Sequence, residues 1–350
     1  MPSSPAFSFS APSRAAIIQL RPFLHSTEAY KSLSTEKILS SIPADTAVSL
    51  SLPAGDELDG EGRAAEAPTM SCAFADYVEK HQHDDDPPKY LKDMHYAGLF
   101  PTLTPELFAD MDILGPFLRR YNLGDYDFMY WGGSAGTGTP IHSDVMLSHS
   151  YSYNVEGIKE WTFYPPNEEA PGSPPLVVQQ RAGEVMFVPS GLYHSVRNLT
   201  PALSLNRNWV TPSIAPRVLA TVLKERTAVD EELEKWGLES DLAEQEKMLA
   251  SACGLSVSSC LLMFLEGAAD RCERLGGLLR AGEGGGEKLE ECALDFFVLC
   301  ETIHELLRDD MAAPLERLVA VRGGEAGEAA RQGIQCLQDR VAELEKMICE

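Results

Sequence analysis

The sequence of 350 residues has few basic residues, because 29 lysines and arginines stand against 53 aspartates and glutamates and give a formal net charge of −24. Binding nucleic acid through its phosphates requires clustered Lys and Arg. We therefore expect no direct contact with nucleic acid, and a basic protein partner suits the charge better. Long apolar runs are also lacking, since the longest candidate, Leu261–Leu265, is far too short for a membrane span. The composition predicts no membrane segment.

The eight cysteines include no Cys-x-x-Cys pair, and all of them except Cys72 lie after residue 250. This pattern predicts reduced thiols on helix faces rather than a zinc site or a disulfide framework, and it favours a cytoplasmic protein. Residues 1–27 lack Asp and Glu but contain Arg14 and Arg21, which is typical of an organellar transit peptide. A transit peptide is therefore the alternative to a poorly structured N-terminus over residues 1–35.

Apolar residues recur at helical spacing among Glu, Lys and Arg after Val210. The stretches with this spacing are Pro216–Trp236, Asp241–Ser251, Val257–Leu279, Lys288–Arg308 and Glu325–Met347. We therefore expect a poorly structured segment over 1–35, a catalytic domain over 36–212 and a C-terminal helical region over 213–350. Two interpretations of the helical region stay open: a homodimer interface and a monomeric cap.

Other local patterns predict single elements. Alternation of apolar and polar residues predicts a strand at Thr46–Leu52, and Ser71–Lys80 resembles a short helix. The Pro- and Glu-rich stretch Asn167–Gln180 predicts a loop that shapes access to a site. Glycine-rich stretches at Ala281–Gly286 and Arg322–Gly327 predict linkers.

A His-x-Asp pair, His142 and Asp144, lies in a strand-rich segment. Side chains at i and i+2 project from one face of a strand, so both residues can bind a single ion. The run Gly183–Gly191 predicts a buried strand and a turn that place His194 at the start of the next strand. Two imidazoles and one carboxylate make a facial triad, which is typical of non-haem iron(II) sites. A lone His-x-Asp is more often structural, so other residues must support this interpretation.

A lysine on an apolar strand face supplies that support. Val155–Ile158 predicts a hairpin turn, and in the strand that follows Lys159 shares one face with Trp161 and Phe163. A buried lysine is unfavourable unless an anion meets it, and a small dicarboxylate beside the iron would be such an anion. The alternative is a lysine that extends to solvent at the mouth of the barrel. His149 is oddly spaced from His142, so we expect it to be structural.

These residues together resemble the JmjC family of 2-oxoglutarate oxygenases. The resemblance covers about residues 70–270, and the segments that carry it are Thr139–Asp144, Lys159–Pro166, Gly183–Gly191, His194 and Asn206–Trp209. It implies a mainly β fold with helices, in which a double-stranded β-helix (cupin-like) barrel has flanking helices and a C-terminal helical region.

The resemblance also implies roles for single residues. Iron(II) would be bound by the catalytic residues His142, Asp144 and His194. The cosubstrate 2-oxoglutarate, used together with O2, would contact six further residues: Lys159, Thr139, Asn206, Asn208, Tyr90 and Asn154.

The implied activity is that of a protein hydroxylase which C-hydroxylates a lysine of the translation termination (release) factor. Demethylation of N-methyl-lysine by the same chemistry is an alternative, ranked lower because the cysteine spacing shows no zinc module of a chromatin reader. A third interpretation is a non-catalytic cupin-like scaffold. The intact triad and Lys159 argue against the scaffold, which has no use for a buried cation beside an iron pocket.

Overall fold

The structure is a computed structural model, and its contacts divide the chain into two compact units. The β unit comprises the described residues within 1–106, 125–144 and 149–208, and the helical unit those within 107–124, 145–148 and 209–350. The predicted domain boundaries stay predictions. The structure describes residues 16–18, 33–52, 69–81, 88–99, 108–164, 174–237, 241–281, 286–308 and 312–349.

Twelve strands lie in the described part of the chain. They are β1 (Ala16–Ile18), β2 (Ala47–Ser51), β3 (Thr69–Ala73), β4 (Tyr90–His95), β5 (Asp127–Gly132), β6 (Gly138–His142), β7 (His149–Glu156), β8 (Ile158–Phe163), β9 (Leu176–Arg181), β10 (Val185–Val188), β11 (His194–Asn198) and β12 (Ala202–Trp209). They form an eight-stranded sheet in the order β1-β10-β7-β12-β5-β4-β2-β3 and a four-stranded sheet in the order β6-β11-β8-β9.

The two sheets face each other. Trp161 and Val196 of the small sheet form one apolar cluster with Met186 and Val188 of the large sheet. On the other face of the large sheet, a second core contains Leu203 together with residues of β2, β4 and β5. Two antiparallel sheets packed over a shared interior confirm the predicted mainly β, cupin-like fold.

The alternation along β12 separates the two interiors. Leu203 and Leu205 enter the second core, while Asn206 and Asn208 line a polar cavity between the sheets. Because successive side chains of a strand point to opposite faces, one strand serves both interiors.

Eight helices of six or more residues are present among the described residues. They are α1 (Thr35–Ser40), α2 (Leu114–Tyr121), α3 (Ala215–Trp236), α4 (Leu242–Cys253), α5 (Val257–Arg280), α6 (Glu287–Leu307), α7 (Ala312–Arg322) and α8 (Gly324–Cys349). Side chains of Asp241 and Ser256 cap the N-termini of α4 and α5. Gly237 and Gly254, both left-handed, end α3 and α4. The helical spacing after Val210 is confirmed.

None of the described helices is by itself long and apolar enough to cross a membrane. Only together do α4 and α5, which are bent by 75° at their junction, reach the length and composition of a span.

Two predictions of single elements were wrong in part. Residues 71–73 of the predicted helix Ser71–Lys80 continue β3, which pairs with β2, and only the part after Ala73 is helical. Ladder hydrogen bonds to a neighbouring strand override a weak helical preference. The predicted loop Asn167–Gln180 contains most of β9, which pairs with β8 along six residues. Residues 165–173 lie outside the described residues.

Connections between elements also differ from the predictions. The turn predicted at Val155–Ile158 exists, with Gly157 at φ +87°, but it is not a hairpin, because β7 and β8 belong to different sheets. Of the linker predicted at Arg322–Gly327, only Gly323 lies between helices, because Arg322 ends α7 and Gly324 begins α8. Within the N-terminal segment, Ala16–Ile18 pairs with β10. The other residues of the suggested transit peptide lie outside the described residues.

Candidate active site

Two histidines meet across paired strands of the small sheet. β6 ends at His142 and β11 begins at His194, and the antiparallel register places these residues directly opposite each other. Their ring centroids are 4.3 Å apart. The i, i+2 spacing predicted that Asp144 lies on the same strand as His142. Asp144 instead lies two residues beyond the end of β6. Each of the three residues nevertheless offers one ligand atom within 4.8 Å of the others.

Backbone carbonyls fix the orientation of both imidazoles. His142 Nδ1 lies 2.8 Å from the carbonyl oxygen of Pro140, and His194 Nδ1 lies 2.9 Å from that of Leu192. A carbonyl can only accept, so each Nδ1 carries the hydrogen and donates it. The lone pair is then on Nε2, as in metal-binding histidines whose other nitrogen is held by a carbonyl.

The charge state of His194 also suits a ligand. Burial lowers the pKa of this imidazole to about 4, against an opposing effect of Asp144. The ring is therefore neutral at physiological pH, and only the neutral form can bind a metal ion. Trp161 stacks on the ring with centroids 5.5 Å apart, which limits its movement.

The carboxylate of Asp144 is positioned by a hydroxyl. Ser150 Oγ, on β7, donates to Asp144 Oδ2 at 2.7 Å. A hydrogen bond of this kind limits the rotation of the carboxylate and so helps to orient it as a ligand. The donor set of two nitrogens and one carboxylate oxygen is the one that non-haem iron(II) sites use, with coordination positions left open.

Lys159 is buried, and no described residue supplies a counter-charge for it. Its side chain lies on β8, the residue is 2% exposed, and Nζ donates to Ser204 Oγ at 2.5 Å. Nζ is also 6.0 Å from the centroid of the Tyr130 ring. No described carboxylate forms an ion pair with it, and desolvation lowers its pKa to about 7. An anion that entered the cavity would restore the charge on this amine.

One polar cavity of the β unit brings most of the predicted site residues together. It is lined by Tyr90, Tyr130, Thr139, His142, Asp144, Ser150, Lys159, Trp161, His194, Val196, Asn206 and Asn208. Asn206 Oδ1 accepts from Ser152 Oγ at 2.9 Å, which leaves its amide nitrogen for the cavity. Asn154 is not among the lining residues. Its Nδ2 donates to Gly157 O at 2.9 Å and so supports the turn between β7 and β8.

Some residues of the cavity were not identified from the sequence as site residues. Tyr130 and Ser150 have no motif of their own, and only the pairing of distant strands shows where they face. Trp161 was placed on the face of Lys159 but given no role. His149 lies outside the triad: its Nδ1 accepts from the backbone N–H of Ser190 at 3.0 Å, in keeping with a structural role.

Comparison with known families gives one match in this region. Residues 162–209 match the model of the JmjC domain, described as a hydroxylase domain. The matched segment contains His194, Asn206 and Asn208, and it ends with β12.

Several curated proteins are similar to the chain. Two are named 2-oxoglutarate and iron-dependent oxygenase JMJD4, from Gallus gallus and Homo sapiens. Each is 33% identical over 178 residues, which cover 42% of this chain and 42% of the relative. A third, the arginine-specific demethylase JMJ20 of Arabidopsis thaliana, is 33% identical over 189 residues, 40% of each chain. The chain thus spans less than half the length of these relatives.

Proposed function

We propose that this chain is a JmjC-family protein and acts as an iron(II)- and 2-oxoglutarate-dependent oxygenase that hydroxylates a protein, in keeping with the match to the JmjC domain and with the similar oxygenases. The observation that carries the proposal is the cavity itself. It combines three metal-binding groups within 4.8 Å of one another with a buried lysine that has no anionic partner among the described residues. A dicarboxylate cosubstrate beside a metal ion would satisfy both features.

In this proposal His142, Asp144 and His194 hold the metal ion. Bound iron(II), with 2-oxoglutarate and O2, supplies oxidation of a C–H bond to an alcohol, while 2-oxoglutarate is converted to succinate and carbon dioxide. The protein supplies no acid or base of its own for this step. It fixes the geometry and keeps bulk water away from the metal side of the cavity, where Trp161 and Phe163 pack near the His194 ring.

The remaining cavity residues would bind the cosubstrate. Lys159, at the buried end, pairs with the distal carboxylate of 2-oxoglutarate, and the hydroxyl of Thr139 assists it. Asn206, Asn208 and Tyr90 complete the cosubstrate pocket, since all of them line the same cavity. These roles follow from the placement of the residues together with the resemblance to the family.

We further propose that the substrate is a lysine in a protein, with the translation release factor as the first candidate. The strongly acidic composition of the chain supports a basic target, and the similarity to proteins named as 2-oxoglutarate and iron-dependent oxygenases supports the oxidation. Demethylation is the second candidate, and the similarity to an arginine-specific demethylase supports it. The same oxidation of an N-methyl group would release the methyl carbon. A cytoplasmic location and a homodimer through the C-terminal helices remain predictions.

Turnover of the cosubstrate tests the proposal. We would incubate the purified chain with iron(II), ascorbate and 2-oxoglutarate and measure succinate, which we expect to form. Asp144→Ala should abolish this activity, whereas Glu156→Gln, which removes an exposed acid at the end of β7, should not. If the unsubstituted chain forms no succinate, or if Asp144→Ala has no effect, the oxygenase proposal is wrong.

Mass spectrometry of the product distinguishes the two candidate reactions. Release factor incubated with the enzyme should gain the mass of one oxygen on a lysine. Loss of a methyl group from a methylated histone peptide, with no oxygen added to the release factor, would favour demethylation instead.

A further inference from the structure

An irregularity in β4 places an acid next to the candidate active site. Leu91 pairs with Trp131 and Met94 with Met129, so β4 has one more residue than β5 between these pairs. The inserted stretch contains Asp93, whose φ of +56° lies in the left-handed region. This conformation is unfavourable for most non-glycine residues, and bulges that persist despite it commonly redirect a side chain near a functional site.

The redirected side chain contacts the cavity. Tyr130 OH donates to Asp93 Oδ1 at 2.7 Å, and Tyr130 is one of the lining residues. The ring of Tyr130 is 6.0 Å from the ring of Tyr90 and 6.0 Å from Lys159 Nζ. Asp93 thus contacts the hydroxyl of Tyr130, while the buried amine of Lys159 lies over the ring of the same residue. Its side chain is 47% exposed, so its carboxylate faces solvent.

Tyr130 is the donor of this hydrogen bond and Asp93 the acceptor. Burial raises the pKa of Tyr130 well above its usual range, and Asp93 and Asp144 add to the effect, so the phenol keeps its proton. One cation is already near Asp93, since Lys92 Nζ lies 3.4 Å from Asp93 Oδ2. An ion pair this exposed is weak, so a second ammonium can compete for the same oxygen.

We propose that Asp93 is a specificity-determining residue, which binds the cationic end of a lysine or arginine side chain of the protein substrate at the solvent-exposed end of the cavity. The inference rests on the proposed function. The metal and 2-oxoglutarate would use the cavity's interior, while Asp93, held by Tyr130, supplies a negative charge at the entrance. A basic side chain in the cavity can pair its charged end with this carboxylate, whereas a neutral side chain of equal length would gain nothing from it.

Charge removal without loss of geometry gives the sharpest test. Asp93→Asn keeps an oxygen that can accept from Tyr130, and asparagine tolerates the left-handed conformation. The probes are two fluorescent peptides that differ only in one central residue, lysine or N-acetyl-lysine. Glu156→Gln is the matched control, because it removes an exposed acid of the same unit.

Two readouts separate this inference from the proposed function. Peptide binding is measured by fluorescence anisotropy with iron(II) and 2-oxoglutarate under nitrogen, and succinate formation is measured in air. We expect the unsubstituted protein to bind the lysine peptide about tenfold more tightly than the acetylated one, and Asp93→Asn to remove that preference. Lys92→Gln should strengthen binding of the lysine peptide, because it removes the competing ammonium.

A preference that survives in Asp93→Asn, or that is absent from the unsubstituted protein, overturns the inference. So does a Lys92→Gln protein that binds the lysine peptide no more tightly than before. If the preference depends on Asp93 but no succinate forms in air, the cation site stands and the oxygenase proposal fails.

Discussion

Replacing Lys159 with methionine should stabilise the protein while preventing it from binding 2-oxoglutarate. Burial lowers the pKa of this lysine from 10.5 to about 7. At about 1.4 kcal/mol per pKa unit, carrying the charge in the folded protein costs on the order of 5 kcal/mol. Methionine has a similar length and no charge. Methionine would lose the hydrogen bond to Ser204, and this loss offsets about 1 kcal/mol of the gain in the free energy of unfolding.

The sign of the pH dependence follows from the lowered pKa. The folded protein binds this proton less tightly than the unfolded chain, so the cost is complete below pH 7 and is relieved as the pH rises from about 7 to 10.5. The advantage of Lys159→Met over the unsubstituted protein should therefore be roughly 2–4 kcal/mol at pH 6 and shrink by about 2–3 kcal/mol by pH 9.

Denaturant unfolding of both proteins at pH 6 and pH 9 measures this difference. Lys247→Met is the control, because the side chain of Lys247 is 78% exposed and should show neither effect. Addition of manganese(II) and 2-oxoglutarate should stabilise the unsubstituted protein but not Lys159→Met. A methionine variant that is less stable than the parent at pH 6, or an advantage that does not change with pH, would refute the argument that the buried charge lacks compensation.

Three further predictions concern the same cavity. Ser150→Ala should weaken manganese(II) binding about tenfold in a calorimetric titration, because Asp144 loses the donor that orients it. The control Ser195→Ala should bind manganese(II) as the unsubstituted protein does. Equal affinities of the two variants would contradict the role of Ser150 in orienting Asp144. Above pH 7 the affinity for 2-oxoglutarate should fall by up to about tenfold per pH unit, because Lys159 must take up a proton on binding. Calorimetric titrations in buffers of different ionisation enthalpy would reveal that proton. Identical heats of binding in these buffers would contradict its uptake. Gly138→Ala should lower the free energy of unfolding, measured by thermal melting, by about 2–4 kcal/mol, because the new Cβ would overlap the carbonyl oxygen of Val196. Gly98→Ala should be neutral, because there is open space around Gly98. Similar melting curves of the two variants would disprove the close approach of β6 and β11.

The residue types of the candidate metal ligands and the orientation of Lys159 could be predicted, because residue type and side-chain alternation are local properties. Alternation along β8 places Lys159 on the face of Trp161, whatever the strand pairs with. The position of Asp144 could not be predicted in the same way, since β6 ends at His142 and the following residues turn. The strand β9 was missed because its pairing with β8 outweighs the loop-like composition of the residues before it.

The sequence by itself determined which chemical groups are available and on which face of each strand they lie, because side-chain period and residue type are local properties. The tertiary structure alone decided which of those faces meet. His142 and His194 are far apart along the chain, and only the antiparallel register of β6 and β11 places them opposite each other. The extra residue in β4 that turns Asp93 towards Tyr130 is likewise visible only where two strands pair. Strand register is set by long-range hydrogen bonding and packing, which no single stretch of sequence encodes.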